Sequence, residues 1–416
     1  MNAVELAREH AQNLFEKIGL PTARDEHWKY TDASRFASLI ADAAAPIASE
    51  KMDTDALGVV GIDAYRMTFI NGVFDASASI LPDGVSILSL AGLLGEINDE
   101  SAEAVAKLYD VSGDEALFSG FTALNAAKAL DGAAVCIADH TQLDKPLYIL
   151  HIANQGYVIR HGMMLGEHAE AEVIEHYISV DSAALSHASS HVILKAGAHL
   201  QHYHLQQEAA KQSHIGRIEV KQLRDSSYQL HAVELGSILT RLDVAIALAE
   251  QGASCDLNGL FVLDGRQHVD HHTRVDHQAP HCVSREHYRT VLSGRSHGVF
   301  NGKVVVHAGA VKTDSKQSNA NLLLSDKAEI DTKPELEIYN DDVKCAHGAT
   351  VGQLDDTQLF YLRSRGVSEE AAKELLTLAF ADEVLAAMGN ADVRRYIEKA
   401  AFAKLPHEAD IDELLV

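Results

Sequence analysis

From about residue 133 to 350, short β-rich runs follow one another with almost no helical periodicity between them. They include "AAVCIA", "LYILHI", "AEVIEHYISV", "HVILK", "GRIEVKQL", "LFVL", "YRTVL", "GKVVV" and "NLLL", separated by Gly, Asn, Asp and Ser. That much strand cannot stay one flat antiparallel sheet, which would curl or split. It must bury itself as a sandwich, a jelly roll or a stack of coils. Turn dipeptides at Asn258-Gly259, Asp264-Gly265, Ser293-Gly294 and Asn301-Gly302 supply positive-φ corners. No heptad, blade signature or fixed repeat length is present, and a β-solenoid tolerates that irregularity because each coil only has to stack on its neighbours. At about 20 to 25 residues per coil the zone makes roughly nine or ten coils, about 45 Å long at a strand spacing of about 4.8 Å.

The flanks read differently. Residues 1–130 form an N-terminal, mainly helical zone containing one strand-like run, "YRMTFINGVF", with Asn71-Gly72 as its turn. The first twenty residues place Val4, Ala7, Ala11, Leu14, Phe15 and Ile18 at helical spacing between charges, an amphipathic helix rather than a signal peptide. The strand zone occupies 131–350 and a C-terminal helical zone 351–416. There Ser368 caps a helix that stops at Gly389-Asn390, a further helix covers about 391–403, and an acidic tail follows.

Charge and cysteine usage exclude several functions. With 35 Lys plus Arg against 60 Asp plus Glu, the net charge of -25 repels phosphate backbones and anionic lipid. Nucleic acid and membrane are therefore excluded as expected partners. No run approaches the roughly 20 apolar residues that span a bilayer. Cys136, Cys255, Cys282 and Cys345 form no CxxC clip, which places the chain in a reducing compartment, the cytoplasm.

Three chemistries can be weighed from the residues. Of the 24 histidines, "QHVDHHTRVDHQAPHCVSREHYR" holds His268, His271, His272, His277, His281 and His287, and "HLQHYHL" adds His199, His202 and His204. An HxH pair on a strand turns both rings to one face, a zinc-ligand geometry, with Asp270 or Asp276 available as a base. Half-buried polar ladders between stacked coils account for the same pattern. "NGKVVV" contains Gly302-Lys303, but His297 and Val304 replace the glycine and hydroxyl of a phosphate-binding loop, so the chain does not hydrolyse ATP. GxGxxG is absent as well. The third candidate is "NDDVKCAHGATVG". In an extended segment Cys345 and His347 face the same way, with α-carbons about 6.6 Å apart. Both can then reach one metal, Lys344 and Ala346 point to the other face, and Gly348 ends the strand. Two ligands are too few for a closed site. Either Cys345 packs as a small hydrophobe, or the rest of the site comes from elsewhere in the fold or from another chain.

At these residues the sequence resembles the SufB/SufD family of iron-sulfur cluster assembly proteins, and its SufD members most. The resemblance covers nearly the whole chain. "EHWKYTD" (26–32) is similar to the family's N-terminal signature, and "FINGVF" and "ALNAAKALDGAAVCIA" to the SufD members. The stretch 284–366, from "SREHYRTVLSGRSHG" to "QLFYLRSRG", is similar to the family's core signature. The resemblance implies a right-handed parallel β-helix between N- and C-terminal helical domains. It also implies a non-catalytic scaffold subunit that pairs with a SufB-like subunit through the β-helices and docks a SufC-like ABC ATPase through its C-terminal helices. Cys345 and His347 match positions facing the partner, where iron or a nascent iron-sulfur cluster assembles at a shared interface. Arg365, Gly366, Ala372, Leu375, Leu376 and Phe380 fall in the part similar to the ATPase-docking helices. Cys255 and Cys282 match none of the sulfur-transfer cysteines of SufB members, which favours the SufD side of the family and leaves a SufB-like role or a homodimeric assembly open. The family complex is also linked to reduced flavin, for which the sequence holds no fingerprint. The competing readings are a stand-alone, histidine-rich zinc-dependent hydrolase and a structural β-solenoid adaptor without metal.

Overall fold

The computed structural model describes residues 3–40, 57–82, 86–89, 120–180 and 183–405. The acidic tail lies outside them. The chain folds as a parallel β-solenoid whose coils each give one strand to each of two sheets. The first sheet runs β2 (Val73–Phe74), β1 (Tyr65–Ile70), β5 (Leu147–Ala153), β7 (Glu170–Ser179), β9 (His199–Gln207), β11 (Ser227–Glu234), β13 (Ser254–Leu263), β15 (Val283–Leu292), β17 (Asp314–Leu323) and β19 (Lys344–Gly352). The second runs β3 (Ser86–Ser89), β4 (Ala133–Ile137), β6 (Tyr157–Leu165), β8 (Leu185–Leu194), β10 (Ser213–Gln222), β12 (Leu239–Leu248), β14 (His268–His277), β16 (His297–Val306) and β18 (Glu329–Ile338).

The coils are longer and fewer than the sequence suggests. Ser213 pairs with Leu239, 26 residues on, and His297 with Glu329, 32 residues on. The zone therefore makes about seven turns. The expectation of nine or ten coils rested on about 20 to 25 residues per coil. Most strands here are ten residues long, and each coil also spends residues on two corners.

Two of the four turn dipeptides are corners. Gly265 (φ 58°) and Gly294 (φ 65°) have the left-handed backbone that glycine favours. Asn258-Gly259 and Asn301-Gly302 lie inside β13 and β16 instead. Both glycines clear space: a Cβ at Gly259 would collide with the Tyr288 ring of the next coil, and one at Gly302 with the Gln317 amide.

Alternation along the strands makes the core. Positions 257, 261 and 263 of β13 and 242, 244 and 246 of β12 point between the sheets, where Leu257, Phe261, Leu242, Val244 and Ile246 are at most 1% exposed. Each such side chain contributes about 1.5–3 kcal/mol of burial.

The outer faces are covered by the two ends of the chain. α1 (Ala3–Ile18) packs on α3 (Gly120–Lys128), and α2 (Ser34–Ile40) follows the short turn Glu26–Trp28. Trp28, Phe36 and Phe121 bury themselves on Leu185, Ile215 and Leu239 of the second sheet. On the first sheet, Tyr203, Leu205, Val233, Leu260 and Val291 are covered by Ala381, Leu385, Val393 and Ile397. These come from α5 (Glu369–Leu385) and α6 (Ala391–Phe402), reached through α4 (Asp356–Ser364). Ser368 caps α5 by accepting from the Ala371 amide. α5 ends at Leu385, before Gly389, and Asn390 caps α6 by accepting from the Asp392 and Val393 amides.

The N-terminal motif "EHWKYTD" is held by Arg241, a fully buried arginine on the outer side of β12. Its guanidinium meets Asp243 and Asp270 at 2.7 Å each, donates to the His27 carbonyl at 2.8 Å and stacks 4.6 Å from the Trp28 ring. Thr31 donates to Asp270 from the other side. Burial pushes the Asp270 carboxyl up, but Arg241 and His272 outweigh it and hold the group far below its usual range. The clasp's stability is therefore present above the unfolded carboxylate value of about 3.9 and lost only as pH falls below it. Trp28 is the only tryptophan. Arg241→Ala, which strands Asp270, should cost about 3–5 kcal/mol in urea unfolding and red-shift Trp28 emission. In the unsubstituted protein the emission should stay constant from pH 8 to about 4.

Candidate functional site

Cys345 and His347 lie on β19, the last strand of its sheet, which pairs with β17 on one side only. The register sets Cys345 beside Ser315 and His347 beside Gln317, both of them buried inward positions, so the pair faces the mouth of the solenoid. β19 continues to Gly352 rather than ending at Gly348, because the ladder with β17 runs on to Leu322↔Gly352. Cys345 is half-buried against the end of the core, and His347 is exposed. Burial pushes the Cys345 thiol up, partly offset by a hydrogen bond with the Ser315 backbone. Among the described residues no group of three or more His, Cys, Asp or Glu is placed to hold a metal ion. Among the described residues, the last strands also carry exposed apolar groups: Val351 at the far end of β19 is 52% exposed, and Ile338 and Tyr339 at the end of β18 are 42% and 64% exposed.

The histidine-rich stretches meet only at Glu234, which His204 and His271 both approach, and build no metal-binding group among the described residues. On β14, His271 and His277 point inward to Glu234 (3.0 Å) and Ser284 (2.9 Å). His268 and His272 point outward to Thr31 (2.8 Å) and Asp270 (3.1 Å). His281 turns a corner with φ 59°, and His287 is exposed on β15. His202 and His204 do share the inward face, as HxH spacing requires, but they meet different carboxylates, Glu175 at 3.2 Å and Glu234 at 3.8 Å. His199 is exposed, with Ser227 2.5 Å away. Both candidate bases are engaged, Asp270 by Arg241 and Asp276 by Arg274 and His307. Lys303 likewise sits in β16 and pairs with Glu337, away from any phosphate cradle.

The C-terminal candidates divide into two groups. Arg365 and Gly366 (φ 92°) form the turn after α4, where Arg365 stacks 4.5 Å from Tyr361. α4 has no buried residue; Phe360 is 73% and Tyr361 55% exposed. Phe360, Arg363, Gly366 and Glu369 line an open cleft of about 510 Å³. Of the α5 candidates, Ala372 is buried, Leu375 and Leu376 are half-buried, and Phe380 packs onto the first sheet beneath the Arg289 guanidinium, 5.6 Å away. The sequence reading missed Phe360 and Tyr361. Their signal was an aromatic pair in a short segment, "DTQLFYLRS", with no apolar periodicity to bury it.

Comparison with known proteins gives a consistent result. The family model for the SufBD core domain of the SUF system of FeS cluster assembly matches residues 148–380, and that for the SufBD protein N-terminal region matches 1–149. The chain is 33% identical to the iron-sulfur cluster assembly protein SufD of Escherichia coli, over 96% of this chain and 92% of that one. It is 30% identical to an iron-sulfur cluster assembly SufBD family protein of Synechocystis, over 91% and 86% of the two chains. It is 26% identical to the chloroplastic protein ABCI7 of Arabidopsis thaliana, over 90% and 80%.

The four thiols should separate by reactivity. Cys255 and Cys282 are buried, and burial raises both thiols. In a Cys136→Ser background, a maleimide should modify one thiol of the folded chain, faster as pH rises through the thiol range, and Cys345→Ser should remove that phase. Three reactive thiols before unfolding would contradict the placement.

Proposed function

The chain is a member of the SufBD family of iron-sulfur cluster assembly proteins, SufD-like in its relatives, and from that premise we propose that it is the scaffold subunit whose open solenoid end forms half of an assembly site. One observation carries the reading: a thiol and an imidazole share one face of an unpaired edge strand, with no third ligand in reach among the described residues. An edge strand recruits another strand through its free N–H and C=O groups. A SufB-like subunit laid against β18 and β19 brings further ligands to Cys345 and His347, and iron or a nascent cluster is the cargo they hold. In the isolated chain a second copy takes the same edge.

The energy source is a separate SufC-like ABC ATPase, since this sequence carries no phosphate-binding loop. Its docking surface is α4 and the turn into α5: Phe360, Tyr361, Arg365 and Gly366, continued by Leu375 and Leu376. Ala372 and Phe380 hold α5 in place beneath that surface. ATP-driven closure of two such ATPases pulls on α4–α6, and the motion passes through α5 to the solenoid, biasing how far the Cys345–His347 edge opens towards its partner. No helix among the described residues is long and apolar enough to cross a membrane, and the cytoplasm is the proposed site of action.

Two measurements test this in the co-expressed complex. Cys345→Ala with His347→Ala should lower bound iron and sulfide severalfold while the subunits still co-purify; unchanged content removes the pair from the mechanism. Phe360→Asp with Leu376→Asp should weaken ATPase binding by about 30-fold, the loss of one interface hot spot of about 2 kcal/mol, without lowering the melting temperature. Retention of the ATPase rejects the docking surface. Metal analysis of the isolated chain beside the complex separates this scaffold from a lone zinc hydrolase and from a metal-free adaptor.

A further inference from the structure

The row that ends in His347 runs inward as polar side chains. His347 on β19 is in register with Gln317 on β17, which is in register with Glu286 on β15. The next two positions are Leu257 and Leu230, so the polar row has an apolar floor. Glu286 is 1% exposed and Gln317 is 4% exposed. Thr273 of the opposite sheet donates to Glu286 Oε2 at 2.6 Å, and the Gln317 amide fills the space that Gly302 leaves open, so both side chains lie between the sheets. Gln317 lies close enough to Glu286 to favour its carboxylate, but neither Glu286 Oε1 nor either polar atom of the Gln317 amide makes a well-aligned hydrogen bond in the protein. Ser284, Ser315, Asn319 and Asn321 line the same two tiers.

A carboxyl in that position is neutral or balanced by a positive charge, because an uncompensated buried carboxylate is too costly. We propose that Glu286 is the charge-compensating partner of the Cys345–His347 pair, an acid that releases its proton when a divalent cation binds at the mouth of the solenoid and recovers it when the cation leaves. The inference rests on the reading of that pair as a cation site. On binding, the Cys345 S–H bond gives way to a sulfur–metal bond and the Glu286 O–H bond to a carboxylate. Both protons pass to water, and nothing is oxidised or reduced. The orphaned atoms of Gln317 and Glu286 mark where bridging water connects the acid to the mouth.

The distances allow this coupling. Two coil steps are about 10 Å. The single net positive charge of a divalent cation on one thiolate then shifts the acid by about one pH unit at an effective dielectric of about 20. Burial already pushes Glu286 up to about 7, with Thr273 and Gln317 pulling the other way, so a shift of that size changes its charge near neutrality. The titratable groups on the surrounding inward faces are Cys255 on β13, Tyr288 on its own strand, and His271 and His277 on β14. Burial raises the first two and lowers His277, which keeps all three uncharged near neutrality.

The test uses the full-length chain with cadmium(II) as the only added metal. Ultraviolet sulfur-to-cadmium absorption reports Cys345, and the infrared C=O band of a buried carboxylic acid reports Glu286. Cadmium should produce the first and erase the second. Affinity should rise about tenfold as pH is raised through 7, apart from the contribution of the thiol itself. Glu286→Gln, the isostere of the neutral acid, should fold normally, keep the sulfur absorption, lose the infrared change and lose that tenfold rise. A carboxyl band indifferent to cadmium, with the sulfur absorption present, overturns the role of Glu286 and leaves the pair as a metal site. Absence of the sulfur absorption, or cadmium affinity unchanged in Cys345→Ser, overturns both.

Discussion

A parallel coil satisfies its backbone only through the coils before and after it, and this governs both ends of the molecule. At the N-terminal end the stack closes with antiparallel strands, β2 of two residues on one sheet and β3 of four on the other. At the C-terminal end β18 and β19 stop with edges of ten and nine residues that no described strand pairs. Free edges invite indiscriminate pairing unless they are guarded. β18 carries Glu329, Asp331, Lys333, Glu335 and Glu337 along its length and Pro334 in its middle, a residue tolerated only where an amide is not needed. An edge that is charged, interrupted by proline and also apolar at Ile338 and Val351 excludes most strands while remaining able to accept a complementary one.

The interior follows from the same stacking. Because every second residue points inward, a slip of one residue would turn a whole strand inside out. Buried ionisable pairs raise the cost of such a slip. Glu175 meets His202 at 3.2 Å, Glu208 meets His214 at 2.9 Å and Glu234 meets His271 at 3.0 Å, each joining different strands or a strand and a corner. Such pairs contribute little net stability against an apolar core of the same shape, but breaking one leaves a stranded charge. Three of the 24 histidines, His202, His214 and His271, are thereby explained as register specification.

What could be read from the sequence depended on whether the signal was local. The spacing of Cys345 and His347, the Ser368 cap and the Asn71-Gly72 hairpin are local, and all three have the expected geometry. Coil length is not local. Corners recur at Gly197, Asp225, Gly252, His281 and Lys312, all left-handed, and each donates its amide to the corner of the next coil. Glycine holds only two of those five positions and the other three are Asp, His and Lys, so the period is invisible until the backbone is seen. Asn258-Gly259 misleads for a similar reason: its glycine answers to Tyr288, some thirty residues away in the chain. The open edge of β19 was equally illegible, since it depends on where the stack stops. The choice of solenoid over sandwich came from resemblance, as periodicity alone fits both.

The position of α5 limits how helix motion can reach the candidate site. α5 contacts β13 and β15, with Phe380 in the apolar layer and Glu383 joined to Arg289 of β15. On its inner face the same strand carries Glu286, and β17 and β19 follow it in the sheet. β15, β17 and β19 are tied by continuous in-register ladders. Opening the Cys345–His347 edge within the sheet would break a whole ladder of backbone bonds at once, each with a full desolvation penalty if left unmade. Tilting the terminal coils as one body breaks none. Under the proposed pairing, a pull on α5 is therefore relieved at the contact with the partner, where no ladder has to be broken, and the place where the coils run out is where movement can change what Cys345 and His347 face.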